Sequence, residues 1–170
     1  MSPAERTAIV CDTTAYLPDE LIAAHGIERI SLYVSLAGEQ RPEIDMGDYA
    51  TFFERLRASD EGATTSQPSV GDFVAIYAPL LEAGREIVSI HLSAGISGTY
   101  ESALTARQQL VDEGEGGERI HVIDSRTACG GMGLLALAAS EAAERLVKYA
   151  EELKEAGRDA WVVQIGRAHV

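Results

Sequence analysis

Short apolar runs rich in β-branched residues alternate with longer amphipathic stretches along this chain. Buried strands are predicted over 7–11, 87–92 and 119–123, where each run leads into a polar or small-residue loop. A last strand is predicted over 160–165. The lengths and the loops that bound the runs are typical of strands rather than of helices.

Helix signals lie between these strands. Pro18 and Gly26 stand where proline begins and glycine ends a short helix. Ser69, with Asp72 three residues later, resembles a capping box and predicts a helix to about residue 83. Two further helices are predicted over 98–111 and 133–155.

The segment between the first helix and Ser69 has a mixed pattern. A hairpin or extended excursion is predicted from 27–36 back through 40–44, with a turn at Ala37 and Gly38. The next segment, 45–59, predicts a helix whose apolar face we expect in the core, and 63–69 predicts a polar loop. That apolar face consists of Tyr49, Phe52, Phe53 and Leu56.

Strands that alternate with helices of this length indicate a layered α/β fold with a mainly parallel sheet and flanking helices. In such a sheet ligands bind outside the carboxyl ends of the strands. We therefore expect the polar loops after Cys11, Leu92 and Ile123 to meet at one edge.

Composition narrows the class of protein. With 170 residues and 46% hydrophobic content, the chain is long enough for one well-buried core. Its net charge of -13 disfavours nucleic acid and anionic membranes as partners, and no apolar run is long enough to span a bilayer. Because Cys11 and Cys129 form neither a metal spacing nor a disulfide framework, a reducing cytoplasmic location is expected.

The loop 92–99 is the main candidate binding site. Its small residues let backbone amides approach a ligand, and the helix that follows offers unpaired N–H groups to an anionic oxygen. Ser93, Ser97 and Thr99 add hydroxyl donors, and the alternative role for Ser97 or Thr99 is to cap that helix. Asp12 either contacts a ligand or closes the turn after the first strand, and the second role is favoured.

The sequence gives little support for catalysis or metal binding. Residues 95–99 nearly match the nucleophile elbow G-x-S-x-G, but Thr99 replaces the final glycine, and the later histidine that a hydrolase requires is assigned to His169, near the chain end. A serine hydrolase is therefore disfavoured. No P-loop motif occurs, and the remaining histidines lack ligand spacing, so neither catalytic nor metal-binding residues are assigned.

Four segments in the same order and spacing resemble the DegV family. They are 12–18 (DTTAYLP), 65–69 (TSQPS), 92–100 (LSAGISGTY) and 122–125 (VIDS), the last followed by glycines. Together they cover about residues 8–144.

The resemblance implies a two-domain carrier that buries one long-chain fatty acid, such as palmitate, stearate or oleate, between its domains. It implies no cofactor and no catalytic group. It places the carboxylate contacts on Thr65 and Ser93, with Asp12, Ser97 and Thr99 nearby. The chain departs from the family at Ala94, where a second serine is usual. In some relatives a separate kinase phosphorylates the bound acid, so a fatty-acid kinase is the expected protein partner.

Family members are considerably longer than this chain. We expect residues 1–164 to form the N-terminal α/β domain of an incomplete protein, with the second domain truncated. Residues 165–170 do not continue the family pattern and match the translation of a common sequencing adapter, which predicts a non-native tail. His169 and Arg167 would then have no functional meaning.

An alternative is a phosphate- or nucleotide-binding α/β module that uses the Ser93–Thr99 loop, because helix N-termini accept phosphate as readily as carboxylate. The loop contains no Lys or Arg, which counts against this alternative.

Overall fold

The computed structural model describes residues 7–47 and 49–155. Seven strands lie in this part of the chain: β1 (Thr7–Asp12), β2 (Glu28–Ile30), β3 (Tyr33–Leu36), β4 (Glu39–Pro42), β5 (Thr64–Ser66), β6 (Glu86–His91) and β7 (Ile120–Asp124). The strand predicted over 160–165 and the predicted tail over 165–170 lie outside the described residues.

Five α-helices connect or flank the strands. They are α1 (Asp19–His25), α2 (Tyr49–Ala58), α3 (Val70–Glu82), α4 (Thr99–Asp112) and α5 (Gly130–Glu155). Among the described residues no helix is long and apolar enough to cross a membrane.

The main sheet is parallel throughout and has the strand order β2-β1-β6-β7. Alternate residues of β1 face opposite sides of this sheet, as the two-residue period of a strand requires. Ala8 and Val10 join the core beneath α3 and α4, whereas Ile9 and Cys11 join the core beneath α1 and α5. The predicted layered α/β fold with a parallel sheet is confirmed.

Local signals begin and end α1 and α3 close to where the sequence predicted. Gly26, in the left-handed conformation with φ of 56°, ends α1, and Pro18 precedes its first residue. The Ser69 hydroxyl accepts a hydrogen bond from the Asp72 backbone, and the Asp72 carboxylate accepts one from the Ser69 backbone. This pair is the predicted capping box of α3.

A second, antiparallel sheet has the order β4-β3-β5. The β3–β4 hairpin turns at Ala37 and Gly38, both with positive φ, as predicted. The prediction of a loop over 63–69 was incomplete, because Thr64–Ser66 pairs with Tyr33–Ser35. Three polar residues form a strand here because the edge of β3 supplies backbone partners.

The prediction that the apolar face of α2 lies in the core is wrong. Tyr49 is 45% exposed and Phe53 is 48% exposed, and no residue of this helix is buried. Phe52 lines a shallow groove beside β3 and β4 together with Met46 and Val34. The apolar spacing therefore predicted a helix correctly, but the described part of the chain leaves this face largely uncovered.

Candidate functional site

The loops after β1, β6 and β7 meet at the carboxyl edge of the main sheet, as expected. Asp12 Oδ2 accepts a hydrogen bond of 2.9 Å from the backbone N–H of Leu92. Ala94 N donates to Asp124 Oδ1 at 3.2 Å, and Ser93 N donates to the carbonyl oxygen of Thr127 at 2.8 Å. These contacts fix the Ser93 loop between its two neighbours.

Ser93 begins a tight turn after β6. Its carbonyl oxygen accepts hydrogen bonds from Ile96 N at 2.8 Å and Ser97 N at 3.2 Å, and its hydroxyl oxygen accepts one from Gly95 N at 3.2 Å. The Ser93 side chain is half-buried. Because the Gly95 N–H supplies one of its bonds, the hydroxyl hydrogen remains available for an acceptor at the edge.

Ser97 and Thr99 hold the start of α4. Ser97 Oγ accepts a hydrogen bond from Thr99 N at 3.3 Å and lies 2.9 Å from Thr99 Oγ1. Thr99 is completely buried, whereas Ser97 is half-buried. Gly98 occupies the cap position and no side chain caps the helix, so the geometry shows a local bond between Ser97 and the first helical residue rather than the capping role that the sequence left open.

Thr65 lies on the other sheet, at the middle position of β5, and is exposed. The segment that follows it approaches the Ser93 loop, because the Gln67 amide lies against Gly98. A Cβ atom at Gly98 would be 3.0 Å from Gln67 Nε2. Glycine at this position therefore allows the two segments that resemble the family motifs to pack together.

Asp12 is completely buried, and both carboxylate oxygens are used within the chain. Oδ1 accepts hydrogen bonds from the backbone N–H and the hydroxyl of Thr14, and Oδ2 accepts the one from Leu92 N. Asp12 thus closes the turn after β1, the role that the sequence favoured. The geometry supports a positioning role for Asp12 rather than direct ligand contact.

Sequence reasoning assigned His91 no role, because its partner Asp12 lies 79 positions away in the chain. His91 Nδ1 lies 3.2 Å from Asp12 Oδ2, and His91 Nε2 lies 2.7 Å from Ser89 Oγ. Ser89 Oγ in turn lies 2.7 Å from the Tyr77 hydroxyl. The order carboxylate, imidazole, hydroxyl is that of a catalytic triad. However, all four residues are 0% exposed, so Ser89 offers no substrate access and the geometry supports no nucleophilic role.

Arg126 is a second residue that sequence reasoning missed. It follows β7 in the neighbouring loop, is exposed, and adopts a left-handed backbone with φ of 53°. Its backbone N–H donates to Asp124 Oδ1 at 2.9 Å, the same oxygen that accepts from Ala94 N. Among the described residues no acidic side chain pairs with its guanidinium. Arg126 therefore brings a positive charge to the edge that carries Ser93.

Large apolar side chains are exposed around the same edge. Ile96 in the Ser93 loop is 66% exposed, Leu134 near the start of α5 is 69% exposed, and Tyr16 in the first loop is 53% exposed. The first turn of α5 packs on the first loop, since a Cβ atom at Gly133 would lie 2.9 Å from the Ala15 carbonyl oxygen. The edge thus combines hydroxyls, the Arg126 cation and uncovered apolar surface.

The two cysteines differ in environment. Burial, with a smaller contribution from the charge of Asp12, raises the pKa of the Cys11 thiol to about 12, whereas Cys129 is exposed at the start of α5. In the described part of the chain no three His, Cys, Asp or Glu side chains form a group that could hold a metal ion.

The comparisons with known proteins agree on one family. A family model described as "Uncharacterised protein, DegV family" matches residues 6–157. The chain is 37% identical over 164 residues to Protein DegV of Bacillus subtilis, covering 92% of this chain and 56% of that protein. It therefore spans about half the length of the curated relatives it matches.

Solved structures of similar fold are described as fatty-acid-binding proteins. The crystal structure of DegV, a fatty acid binding protein from Bacillus subtilis, has a TM-score of 0.71 at 36% identity, covering 88% of this chain and 54% of that one. A Thermus thermophilus DegV-family protein, described by its fatty acid binding, has a TM-score of 0.71 at 31% identity, covering 95% and 51%. A Ruminococcus gnavus family protein refined with vaccenic acid has a TM-score of 0.73 at 26% identity, covering 88% and 52%.

Proposed function

Because this chain belongs to the DegV family, we propose that it holds the carboxylate of a long-chain fatty acid at the carboxyl edge of its parallel sheet. The observation that carries the proposal is the meeting of two segments from different sheets. Gln67, two residues after Thr65, packs on Gly98 in the loop that begins at Ser93. Thr65 and Ser93 are then the hydroxyl donors to the carboxylate.

The chemistry of the edge suits an amphiphilic acid. Hydroxyl hydrogens donate to an ionised carboxylate, and Arg126 offers a charge of opposite sign from the neighbouring loop. The exposed side chains of Ile96, Leu134 and Tyr16 offer apolar surface to the part of the acyl chain next to the carboxylate. Burial of each methylene contributes about 0.8 kcal/mol, so the tail dominates affinity and the polar groups set orientation.

Asp12, which is completely buried, holds the backbone beside Ser93 through the Leu92 N–H, and both of its carboxylate oxygens are hydrogen-bonded within the chain. We therefore infer a carrier rather than an enzyme. The chain matches about half the length of its relatives, and we infer that the remaining half supplies the other wall of the fatty-acid site. Palmitate, stearate and oleate are the acids that we would test first.

A fatty-acid kinase is the partner that this function calls for. A carboxylate bound by hydroxyls at a sheet edge can be presented to an enzyme that transfers a phosphoryl group to it. The cytoplasm, where ATP is available, is the proposed location. A pull-down of the full-length protein with a candidate kinase, followed by detection of acyl phosphate, tests this partner separately from binding.

A phosphate- or nucleotide-binding module is the second candidate, and Arg126 is the observation that favours it. Titration of delipidated full-length protein separates the two functions. Palmitate should bind with micromolar or tighter affinity and ATP should not compete. Tight binding of ATP or inorganic phosphate, with no binding of palmitate, would favour the second candidate.

A further inference from the structure

A continuous buried chain of hydrogen bonds runs from helix α3 to the loop that carries Ser93. It passes from the Tyr77 hydroxyl to Ser89 Oγ at 2.7 Å, from Ser89 Oγ to His91 Nε2 at 2.7 Å, and from His91 Nδ1 to Asp12 Oδ2 at 3.2 Å. Asp12 Oδ2 then accepts the backbone N–H of Leu92, the residue before Ser93.

The donors and acceptors of this series of hydrogen bonds fit one arrangement of hydrogens. An ionised Asp12 can only accept, so His91 carries its hydrogen on Nδ1 and presents Nε2 as an acceptor. Ser89 then donates to Nε2 and accepts from Tyr77. Burial raises the pKa of the Tyr77 hydroxyl well above its usual range, which keeps Tyr77 a neutral donor.

Packing fixes the imidazole ring as well. The edge of one ring meets the face of the other between Phe73 and His91, with centroids 5.0 Å apart and planes at 87°. Phe73 and Tyr77 lie on α3, the helix that begins directly after the Thr65–Ser69 segment. One buried network therefore joins the helix behind Thr65 to the loop that carries Ser93.

We propose that His91 is a positioning residue for the ligand site, setting the place of Ser93 through Asp12 and the Leu92 N–H. This inference rests on the proposed function, because it assigns a task to residues behind the proposed carboxylate site. Four buried polar groups are costly to satisfy in a core, and an apolar core would serve stability alone equally well. Their path to Leu92 is what suggests a task beyond stability.

Ser89→Ala is the central variant of the test. Without the Ser89 hydroxyl, Nε2 has no donor, so the imidazole is held through Nδ1 alone and its contact with Asp12 is less firmly fixed. We expect palmitate to bind the full-length variant about five- to tenfold more weakly. Ser140→Ala is the matched control, since Ser140 is also buried but bonds to His25, away from this edge. It should bind palmitate like the wild type.

Two substitutions of His91 distinguish positioning from general stability. Asn places an amide N–H close to the position of Nδ1 and can still donate to Asp12, whereas Gln places its amide close to Nε2. We expect His91→Asn to keep more of the affinity than His91→Gln, even where both lower the melting temperature by similar amounts. Equal affinity in Ser89→Ala and wild type, or equal losses in the two His91 variants, would overturn the proposal.

Hydrogen exchange of the Leu92 amide gives a readout that needs no ligand. In Ser89→Ala this amide should exchange at least tenfold faster relative to the amides of β1, and nitrogen chemical shifts should show that His91 Nε2 has lost its hydrogen bond while the hydrogen stays on Nδ1. If the wild type fails to bind any fatty acid, the proposed function fails, and this exchange measurement still decides the positioning role. Unchanged exchange of Leu92 would reject it.

Discussion

Asp12 and Leu92, 80 positions apart in the chain, are joined by a hydrogen bond of 2.9 Å between a buried carboxylate oxygen and a backbone N–H. This contact links the ends of β1 and β6 and sets the start of the Ser93 loop. A hydrogen bond between a buried carboxylate and a backbone N–H is costly to break, because a buried polar group is then left without a partner. The proposed ligand site is thus built on a rigid junction of two strands.

Substitution of the two proposed donors should weaken fatty-acid binding. Thr65→Ala and Ser93→Ala each remove a hydrogen bond to a carboxylate, worth about 1 kcal/mol or more, or about fivefold in dissociation constant. The measurement is displacement of a fluorescent fatty acid from the full-length protein. Thr64→Ala is the control for Thr65, since the neighbouring residue of a strand faces the opposite side. Unchanged affinity in the Thr65/Ser93 double variant would remove both residues from the site.

Arg126 should matter for the charge of the head group. Arg126→Gln should weaken palmitate binding about two- to fivefold, as for a solvent-exposed charge pair of about 0.5–1 kcal/mol, and leave hexadecanol binding unchanged. Isothermal titration with both ligands measures the difference. Arg145→Gln makes the same charge change about 22 Å along α5 from Gly130 and should affect neither ligand. Equal losses for palmitate and hexadecanol would contradict a charge-specific role.

The two thiols should differ in reactivity. Cys129 is exposed, whereas burial raises the pKa of Cys11 to about 12, so only Cys129 should react rapidly with a disulfide reagent at pH 8. The count of reacted thiols in native protein and in denaturant measures this. Cys129→Ser should abolish the rapid reaction. Rapid labelling of Cys11 in that variant would contradict the prediction, because it would show that the reagent reaches the core around β1.

Asp72 should make stability depend on pH. Burial alone would raise its pKa, but hydrogen bonds from the Ser69 backbone, the Ser69 hydroxyl and the Tyr33 hydroxyl lower it overall. The stabilisation is therefore fully present above the unfolded value of about 3.9 and is lost as pH falls through the lower folded value. At pH 7, Asp72→Asn should lose about 1 kcal/mol of unfolding free energy, as for a lost helix cap.

Urea unfolding of Asp72→Asn and wild type at several pH values checks this prediction. The difference between the two proteins should shrink as the pH falls below about 4, because Asp72 of the unfolded wild type then takes up a proton, and it should be lost once the folded carboxylate is protonated at still lower pH. Asp60→Asn changes an exposed aspartate and should show no such trend. If the difference in unfolding free energy between Asp72→Asn and wild type stayed constant with pH, this would contradict a stabilising role for the ionised Asp72 carboxylate.

Local patterns predicted most of the main sheet and its helices. The run that became β1 and the capping box of Ser69 and Asp72 depend on near neighbours in sequence, so both were readable. The meeting of three loops followed from parallel strand order. The strand at Thr64–Ser66 was missed because its only support is backbone pairing with β3, which leaves no apolar alternation in the sequence.

Long-range polar contacts were the other gap. His91 looked like an isolated histidine, since Asp12 lies 79 positions away and Tyr77 is reached only through Ser89. Arg126 is separated from the Ser93 loop by a helix and a strand in the sequence, and the shared contact of the two loops with Asp124 brings them together. The apolar spacing of α2 predicted burial that the described residues do not provide. Each of these depends on where separate elements meet rather than on local sequence.

Native mass spectrometry of the full-length protein, purified from a bacterium without detergent, tests the central claim most directly. The carrier proposal predicts a complex heavier than the bare chain by one fatty acid of 16 or 18 carbons. The wild type should retain this ligand, and the Thr65/Ser93 double variant should retain much less of it. Recovery of ligand-free protein that also fails to take up added palmitate would contradict the proposal.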